Sequence, residues 1–263
     1  MKLNVGYVQT NPLFGVKEFN YDQVRTLLKD VRADLIVLPE LFSTGYAFTS
    51  KGEVAKLAEN VDDVTSSFLK ELSTETGAII VAGFTEKEND NVYNSSLIVH
   101  KNDVIGTYRK VHLYFKEKKW FTPGDRPPGV FEINKVKIGV MICFDWFFPE
   151  TIRTIALQGA NIVAHPANLV MPYCQRAMQT LCLVNRVYAI TSNRIGRETR
   201  GDDDFTFTGA SQVTSYNGDV LVTAPSDEMG VNVVEIDVSK TQDKHLNPYN
   251  DIFKDRRPNL YKL

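Results

Sequence analysis

A thiol and a carboxylate each stand at the end of an apolar run in this chain, and an ammonium stands where a strand gives way to a long loop. Cys143 closes Val136-Lys137-Ile138-Gly139-Val140-Met141-Ile142, the most apolar strand pattern, and precedes a helix opened by Phe148-Pro149-Glu150. A strand-to-helix turn presents a side chain at the strand's end, where backbone amides and the helix N-terminus favour a thiolate and can hold an oxyanion. A buried strand cysteine also reads as a small hydrophobe. Cys174 and Cys182 keep that second reading, because Cys182 lies inside an apolar helical pattern and Cys174 has no comparable turn. Glu40 follows Leu35-Ile36-Val37-Leu38-Pro39, at the carboxyl end of a core-strand pattern. Open α/β sheets place their sites there, and partial burial raises a carboxylate toward the range of a useful base; alone, it also reads as a strand-end acid in solvent. Lys110 sits in Tyr108-Arg109-Lys110-Val111-His112-Leu113, where a strand gives way to a long loop. A fixed ammonium beside a cysteine lowers the thiol pKa and stabilises a tetrahedral intermediate. Among Arg109, Lys116, Lys118 and Lys119 it reads equally as a solvated charge, an ambiguity that Glu117 shares.

These side chains need rigid supports. Strand-length apolar runs recur at Leu35 to Leu38, Ala78 to Phe84, Val92 to His100, Val136 to Cys143, Ile162 to Ala164, Tyr188 to Ser192 and Val231 to Ile236. Helical patterns alternate with them: Phe19 to Val31, Val64 to Thr76 with Gly77 as its stop, Ile152 to Leu157, and Arg176 to Val187. Asn89-Asp90-Asn91 and Asn217-Gly218-Asp219 read as hairpin turns, so the strand order is mixed, and the class is α/β with sheets faced by helices. No Pro/Ser-rich linker or repeat divides residues 1–263, which are read as one domain. The one long irregular stretch, Arg109 to Gly129, is of a length that is usually functional.

Composition narrows the partners. With 30 basic and 32 acidic residues, and the basic ones scattered, no stripe exists to track a phosphate backbone or anionic lipid, so neither nucleic acid nor membrane is an expected partner. Apolar runs are far shorter than the ~20 residues that cross a bilayer. The N-terminus enters a strand pattern rather than a signal peptide, and three cysteines form an odd set, so a cytoplasmic location with reduced thiols is expected. No His-Glu-x-x-His, Cys-x-x-Cys or phosphate-cradling glycine loop is present, and neither a metal nor an organic cofactor is expected.

Pro39-Glu40, Arg109-Lys110-Val111-His112-Leu113 and Cys143-Phe144-Asp145-Trp146-Phe147-Phe148-Pro149-Glu150, in this order, resemble the nitrilase superfamily of carbon-nitrogen hydrolases. The resemblance extends through Phe121-Thr122-Pro123-Gly124, His165-Pro166-Ala167-Asn168, Asn185-Arg186 and Asp251-Ile252-Phe253-Lys254-Asp255-Arg256-Arg257-Pro258, and the Cys143 and His165 segments look like those of archaeal thermophilic nitrilases. It implies a four-layer αββα sandwich and a catalytic triad of Glu40, Lys110 and Cys143, with Glu117 positioning Lys110 and substrate. It also implies a homodimer, for which the Tyr173 to Val187 helix and the tail, about residues 240–263, are the expected contact elements.

The implied reaction is hydrolysis of a small carbon-nitrogen substrate. Glu40 takes the Cys143 proton, the thiolate attacks, and Lys110 with the Phe144 N–H holds the developing charge until a thioester forms and ammonia leaves. A Cys-His scheme using His112 or His165 is the minor alternative. Asp145, two residues after the cysteine, is shared with many amidase-type members and leans toward an amide, with a nitrile as the alternative and a carbamoyl amide or a catalytically silent binding role behind it. Phe147 stands where some relatives carry a carboxylate-binding arginine, which favours an apolar substrate. Tyr46, Trp146 and Asn168 are candidate pocket walls, though aromatics near strand ends are more often core.

Overall fold

Alternation of side chains along each strand sorts the apolar residues into layers. In the computed structural model, which describes residues 1–261, the chain runs β1 (Lys2–Gln9), α1 (Lys17–Leu28), β2 (Leu35–Val37), α2 (Lys51–Leu57), α3 (Val64–Thr76), β3 (Ile79–Glu88), β4 (Asn91–His100) and β5 (Asp103–Arg109). There follow α4 (Glu117–Trp120), β6 (Val130–Ile133), β7 (Val136–Val140), α5 (Pro149–Leu157), β8 (Ile162–Pro166), α6 (Cys174–Asn185) and β9 (Tyr188–Ser192). The last elements are β10 (Arg197–Arg200), β11 (Asp203–Thr206), β12 (Gln212–Thr214), β13 (Val220–Thr223), β14 (Gly230–Asp237), β15 (His245–Asn247) and β16 (Asn250–Asp251).

Two six-stranded sheets result, in the orders β14-β1-β2-β3-β4-β5 and β13-β12-β9-β8-β7-β6. Each has a parallel centre, β1-β2-β3 in one and β7-β8-β9 in the other, flanked by antiparallel strands. Val5, Tyr7, Leu35, Val37, Ile79 and Val81 share one buried cluster with Val136, Ile138 and Val140 of the second sheet. Val8, Ile36, Ile80 and Ala82 alternate onto the opposite face, against Tyr21, Val24 and Leu28 of α1 and Phe68, Leu69 and Leu72 of α3. On the second sheet α5 lies so close that a Cβ on Gly139 would meet Ile155 Cγ2 at 2.0 Å. The layers are therefore helix, sheet, sheet, helix, which is the αββα sandwich expected.

Local signals account for most boundaries. The helix α3 ends at Gly77, whose φ of +78° is the left-handed stop that glycine adopts without penalty. Asn89 (φ +53°) and Asp90 turn β3 into β4, and Asn217-Gly218-Asp219 turns β12 into β13. The β7 strand ends at Val140, before the expected Cys143, because the backbone must swing to positive φ at the cysteine. The Arg109 to Gly129 stretch carries the one-turn α4, and the β10–β11 hairpin was not anticipated. In the tail, Lys244 Nζ donates to Asn185 O (3.2 Å) and Arg186 O (2.9 Å) at the end of α6. Lys262 and Leu263, the last two residues of the expected tail, lie outside the described residues. Among the described residues no helix is long and apolar enough to cross a membrane.

Candidate active site

Glu40 stands just beyond β2, in a loop stitched to β3 by Gly83 N donating to Pro39 O (3.2 Å) and Phe42 N to Gly83 O (3.3 Å). Only glycine allows this approach, since a Cβ on Gly83 would sit 2.5 Å from Glu40 Cα. The carboxylate is fully buried; its Oε1 accepts from Lys110 Nζ (2.7 Å) and from Asn94 Nδ2 of β4 (2.7 Å), and its Oε2 has no partner. Lys110 leaves β5 with its amide bonded to Asn94 O at 2.9 Å. Its ammonium also donates to Glu117 Oε1 at 2.8 Å. Glu117, at the start of α4, accepts further from the Tyr46 hydroxyl (2.7 Å) through Oε1 and from Tyr114 N (3.1 Å) through Oε2. One ammonium is thus held between two buried carboxylates.

Cys143 comes from the other sheet. It opens a single 3-10 turn, Cys143–Phe147, with φ at +41°, a conformation that L residues hold only when the surroundings enforce it. Asp145 enforces it: one carboxylate oxygen accepts from Ile142 N (2.9 Å) and the Tyr108 hydroxyl (2.8 Å), the other from His112 N (3.1 Å) and His112 Nδ1 (2.7 Å). From β8, His165 places Nε2 3.0 Å from Cys143 O and Nδ1 3.1 Å from Thr191 Oγ1. A carbonyl only accepts, so Nε2 carries the proton and Nδ1 accepts from Thr191. The thiol points to Asn168 O at 3.7 Å.

The cleft that reaches Cys143 is lined by Tyr114, Phe144, Trp146, Asn168, Leu169 and Val170, and is narrow and continuous with solvent. Its lining includes the Asn168 side chain, buried with neither Oδ1 nor Nδ2 bonded. Tyr46 lines a neighbouring cleft with Phe48, Glu117 and Phe205 rather than this one. Phe147 is 52% exposed at the end of the Cys143–Phe147 turn. His112 bonds Asp145 and stacks on Phe148 with ring centroids 3.7 Å apart. Neither histidine of the alternative Cys-His scheme bonds the sulfur.

The electrostatics correct one expectation. Burial pushes the Cys143 thiol well above the usual cysteine range and the Glu40 charge adds to this, outweighing the lowering by Lys110. The sulfur therefore rests as a thiol rather than a preformed thiolate. Burial pulls Lys110 down, but the Glu117 and Glu40 charges together raise it well above the usual lysine value, so it stays an ammonium. Burial raises Glu117 against the pull of Lys110. His165 is lowered by burial to about 4 and is neutral. Asp145 does not reach the cleft; four hydrogen bonds aim it at the scaffold, so it reads no substrate directly. Asn94 and Tyr114 escaped sequence reasoning; a polar Asn94 inside the apolar run Val92 to His100 was the available signal.

The sequence and the sandwich fold match known proteins. The description of the Carbon-nitrogen hydrolase family matches residues 4–245, and the chain belongs to that family. It is 46% identical over 263 residues to a protein named nitrilase from Pyrococcus abyssi, covering 98% of this chain and 99% of that one. A Solanum tuberosum protein named N-carbamoylputrescine amidase is 33% identical over 253 residues, covering 88% of this chain and 83% of its own. The crystal structure of a carbon-nitrogen hydrolase from Helicobacter pylori G27 superposes with a TM-score of 0.88 at 26% identity, covering 99% of this chain and 97% of that one. The protein is accordingly a hydrolase of the nitrilase superfamily.

Proposed function

We propose that the protein hydrolyses a small amide through a thioester on Cys143, with Glu40 as base and acid, Lys110 as the fixed cation and Glu117 as its second support. The observation that carries this reading is the buried, unpartnered Oε2 of Glu40, whose Oε1 is bonded to the Lys110 ammonium and whose charge acts on the Cys143 thiol. Glu40 takes that proton as sulfur bonds to the carbonyl carbon, and Lys110 with the Phe144 N–H stabilises the oxyanion. Protonated Glu40 returns the proton to nitrogen as the C–N bond breaks and ammonia leaves. Water, deprotonated by Glu40, then cleaves the thioester to the carboxylic acid. Trp146 and Asn168 form the pocket wall and Tyr46 acts on Glu117; the mainly apolar lining of Phe144, Trp146, Leu169 and Val170 suits a small uncharged substrate.

A second reading, hydrolysis of a small aliphatic nitrile, is favoured by the 46% identity to the Pyrococcus abyssi nitrilase. Ammonia release from small aliphatic amides, N-carbamoyl amines and dinitriles, compared between wild type and Cys143→Ala, separates the two. Amide turnover lost in the variant supports the first reading, nitrile-only turnover the second, and turnover surviving the substitution refutes the mechanism.

The whole chain is taken as one domain because each sheet supplies part of the site. The free thiols Cys143, Cys174 and Cys182 support a reducing, cytoplasmic setting. A homodimer is supported by exposed Leu157, Tyr173, Leu183 and Val184 on and beside α5 and α6, together with Leu246 and Leu260 of the tail. Sedimentation at twice the 29.7 kDa chain mass, falling to the monomer in a Leu183→Glu, Val184→Glu variant, is the expected result. A wild-type monomer refutes it.

A further inference from the structure

The β10–β11 hairpin touches the site without contributing a side chain to either cleft wall that holds the thiol. Glu198, on β10, is 7% exposed and sends its carboxylate inward. Its Oε2 accepts from Tyr46 N (3.0 Å) and Ala47 N (2.7 Å), while its Oε1 pairs with Arg194. Arg194 is itself fully buried, donating to Pro12 O (3.1 Å) and Ile195 O (3.2 Å) with its guanidinium 4.0 Å from the Phe207 ring centroid. Gly45 (φ +81°) lets the loop pass beneath, since a Cβ there would lie 2.9 Å from Glu198 Oε1. Two more tethers run from the same hairpin. Arg200 donates to Ala47 O (2.8 Å) and pairs with Glu53 (2.6 Å), and Asp203 pairs with Lys116 (2.7 Å), the residue before Glu117.

A buried ion pair of this kind is weak evidence for stability by itself, because desolvation offsets much of its attraction. Its geometry, however, ends on the reactive cluster. The segment that Glu198 anchors carries Tyr46, whose hydroxyl shares Glu117 Oε1 with Lys110 Nζ. If residues 46 and 47 drift, Glu117 loses one of its partners and its carboxylate can turn away from the ammonium.

We propose that Glu198 is a positioning residue for the hydrolysis: by fixing the Tyr46 backbone it fixes the tyrosine hydroxyl on Glu117, and through Glu117 the Lys110 ammonium. This rests on the assignment of Lys110 and Glu117 made under the proposed function. The test is a double-mutant cycle in the full-length protein, measuring kcat on the amide of the panel turned over fastest, with the rate of Cys143 alkylation by iodoacetamide as a second readout. Glu198→Gln and Tyr46→Phe should each lower kcat about tenfold, the scale of one hydrogen bond to a charged group. The double variant should stay within about threefold of the slower single one, because both changes break one chain of contacts. Effects that multiply, or a Glu198→Gln protein with lowered Tm and unchanged kcat, overturn the proposal. Should Glu198→Gln fail to fold, Arg200→Met replaces it in the cycle, since Arg200 is partly exposed and holds the same Ala47 segment; the same non-additivity with Tyr46→Phe is expected and multiplicative effects again overturn it. Glu117→Gln with wild-type kcat would instead overturn the assignment of the site, which keeps the two failures distinct.

Discussion

Replacing Gly83 with alanine perturbs Glu40 without touching any titratable group. The added Cβ would lie 2.5 Å from Glu40 Cα and 2.6 Å from Leu41 N, both backbone atoms with no rotamer to yield. Ordinary carbon contacts begin near 3.5 Å, so the Glu40 loop must retreat by about 1 Å. The retreat strains the Pro39 and Phe42 hydrogen bonds to Gly83 and carries the carboxylate away from its Lys110 and Asn94 partners. A misplacement of about 1 Å costs on the order of a hundredfold in rate, while overpacking of this kind destabilises by about 1–3 kcal/mol. The assay pairs kcat on the best amide or nitrile with denaturant unfolding, and uses Gly52→Ala in α2 as control. There the nearest atom to the new Cβ is Ser50 Oγ at 4.0 Å, so stability should rise by about 0.5–1 kcal/mol, with kcat unchanged. A folded Gly83→Ala protein with kcat within about threefold of wild type would refute the idea that this close approach sets the Glu40 position.

Further outcomes follow from buried groups. The His165 imidazole is lowered from 6.5 to about 4, so the unfolded chain takes up its proton first as pH falls. Stability from this residue is full above about 6.5 and declines toward 4, by up to about 3 kcal/mol; urea titrations at pH 7 and 4.5 should show that loss in wild type and a smaller one in His165→Gln, and equal losses would contradict it. Because Cys143 is held as a thiol, and burial likewise raises Cys174 and Cys182, thiolate absorbance at 240 nm should be absent at neutral pH in native protein. A step near pH 6 lost in Cys143→Ala would show a preformed thiolate. Asp145→Asn breaks an acceptor of four hydrogen bonds; it should cost about 2–3 kcal/mol of unfolding free energy and slow Cys143 alkylation, and a variant as stable as wild type would remove Asp145 from its role under the nucleophile turn.

Much of this was legible because strand ends leave strong marks. The runs before Glu40 and Cys143 were apolar, Lys110 stood where a strand gave way to a long loop, and the order of the three segments carried the family resemblance. Alternation was readable in β1, where Leu3, Val5 and Tyr7 are set against Asn4 and Gly6, whereas β2 and β3 showed only as continuous apolar runs whose two faces the packing sorts. What resisted was whatever depends on distant chain. Asp145 looked like a clue to substrate, and only the approach of Tyr108 and His112 shows that its oxygens are already occupied. The lowering of the Cys143 thiol by Lys110 was expected; that burial and the Glu40 charge outweigh it was not visible along the chain. Glu198 lies on a short polar hairpin with no apolar period, 152 residues from the Tyr46 amide it holds.

The thiol hangs from one sheet, while the carboxylates and ammonium that would arm it in the proposed mechanism hang from the other. A chain in which only one half has formed carries a cysteine with no base and no counter-charge, or a base with nothing to deprotonate. A nascent or damaged molecule therefore presents only an ordinary cysteine to the amides and esters around it, and the base and counter-charge join it only when the two halves close on each other.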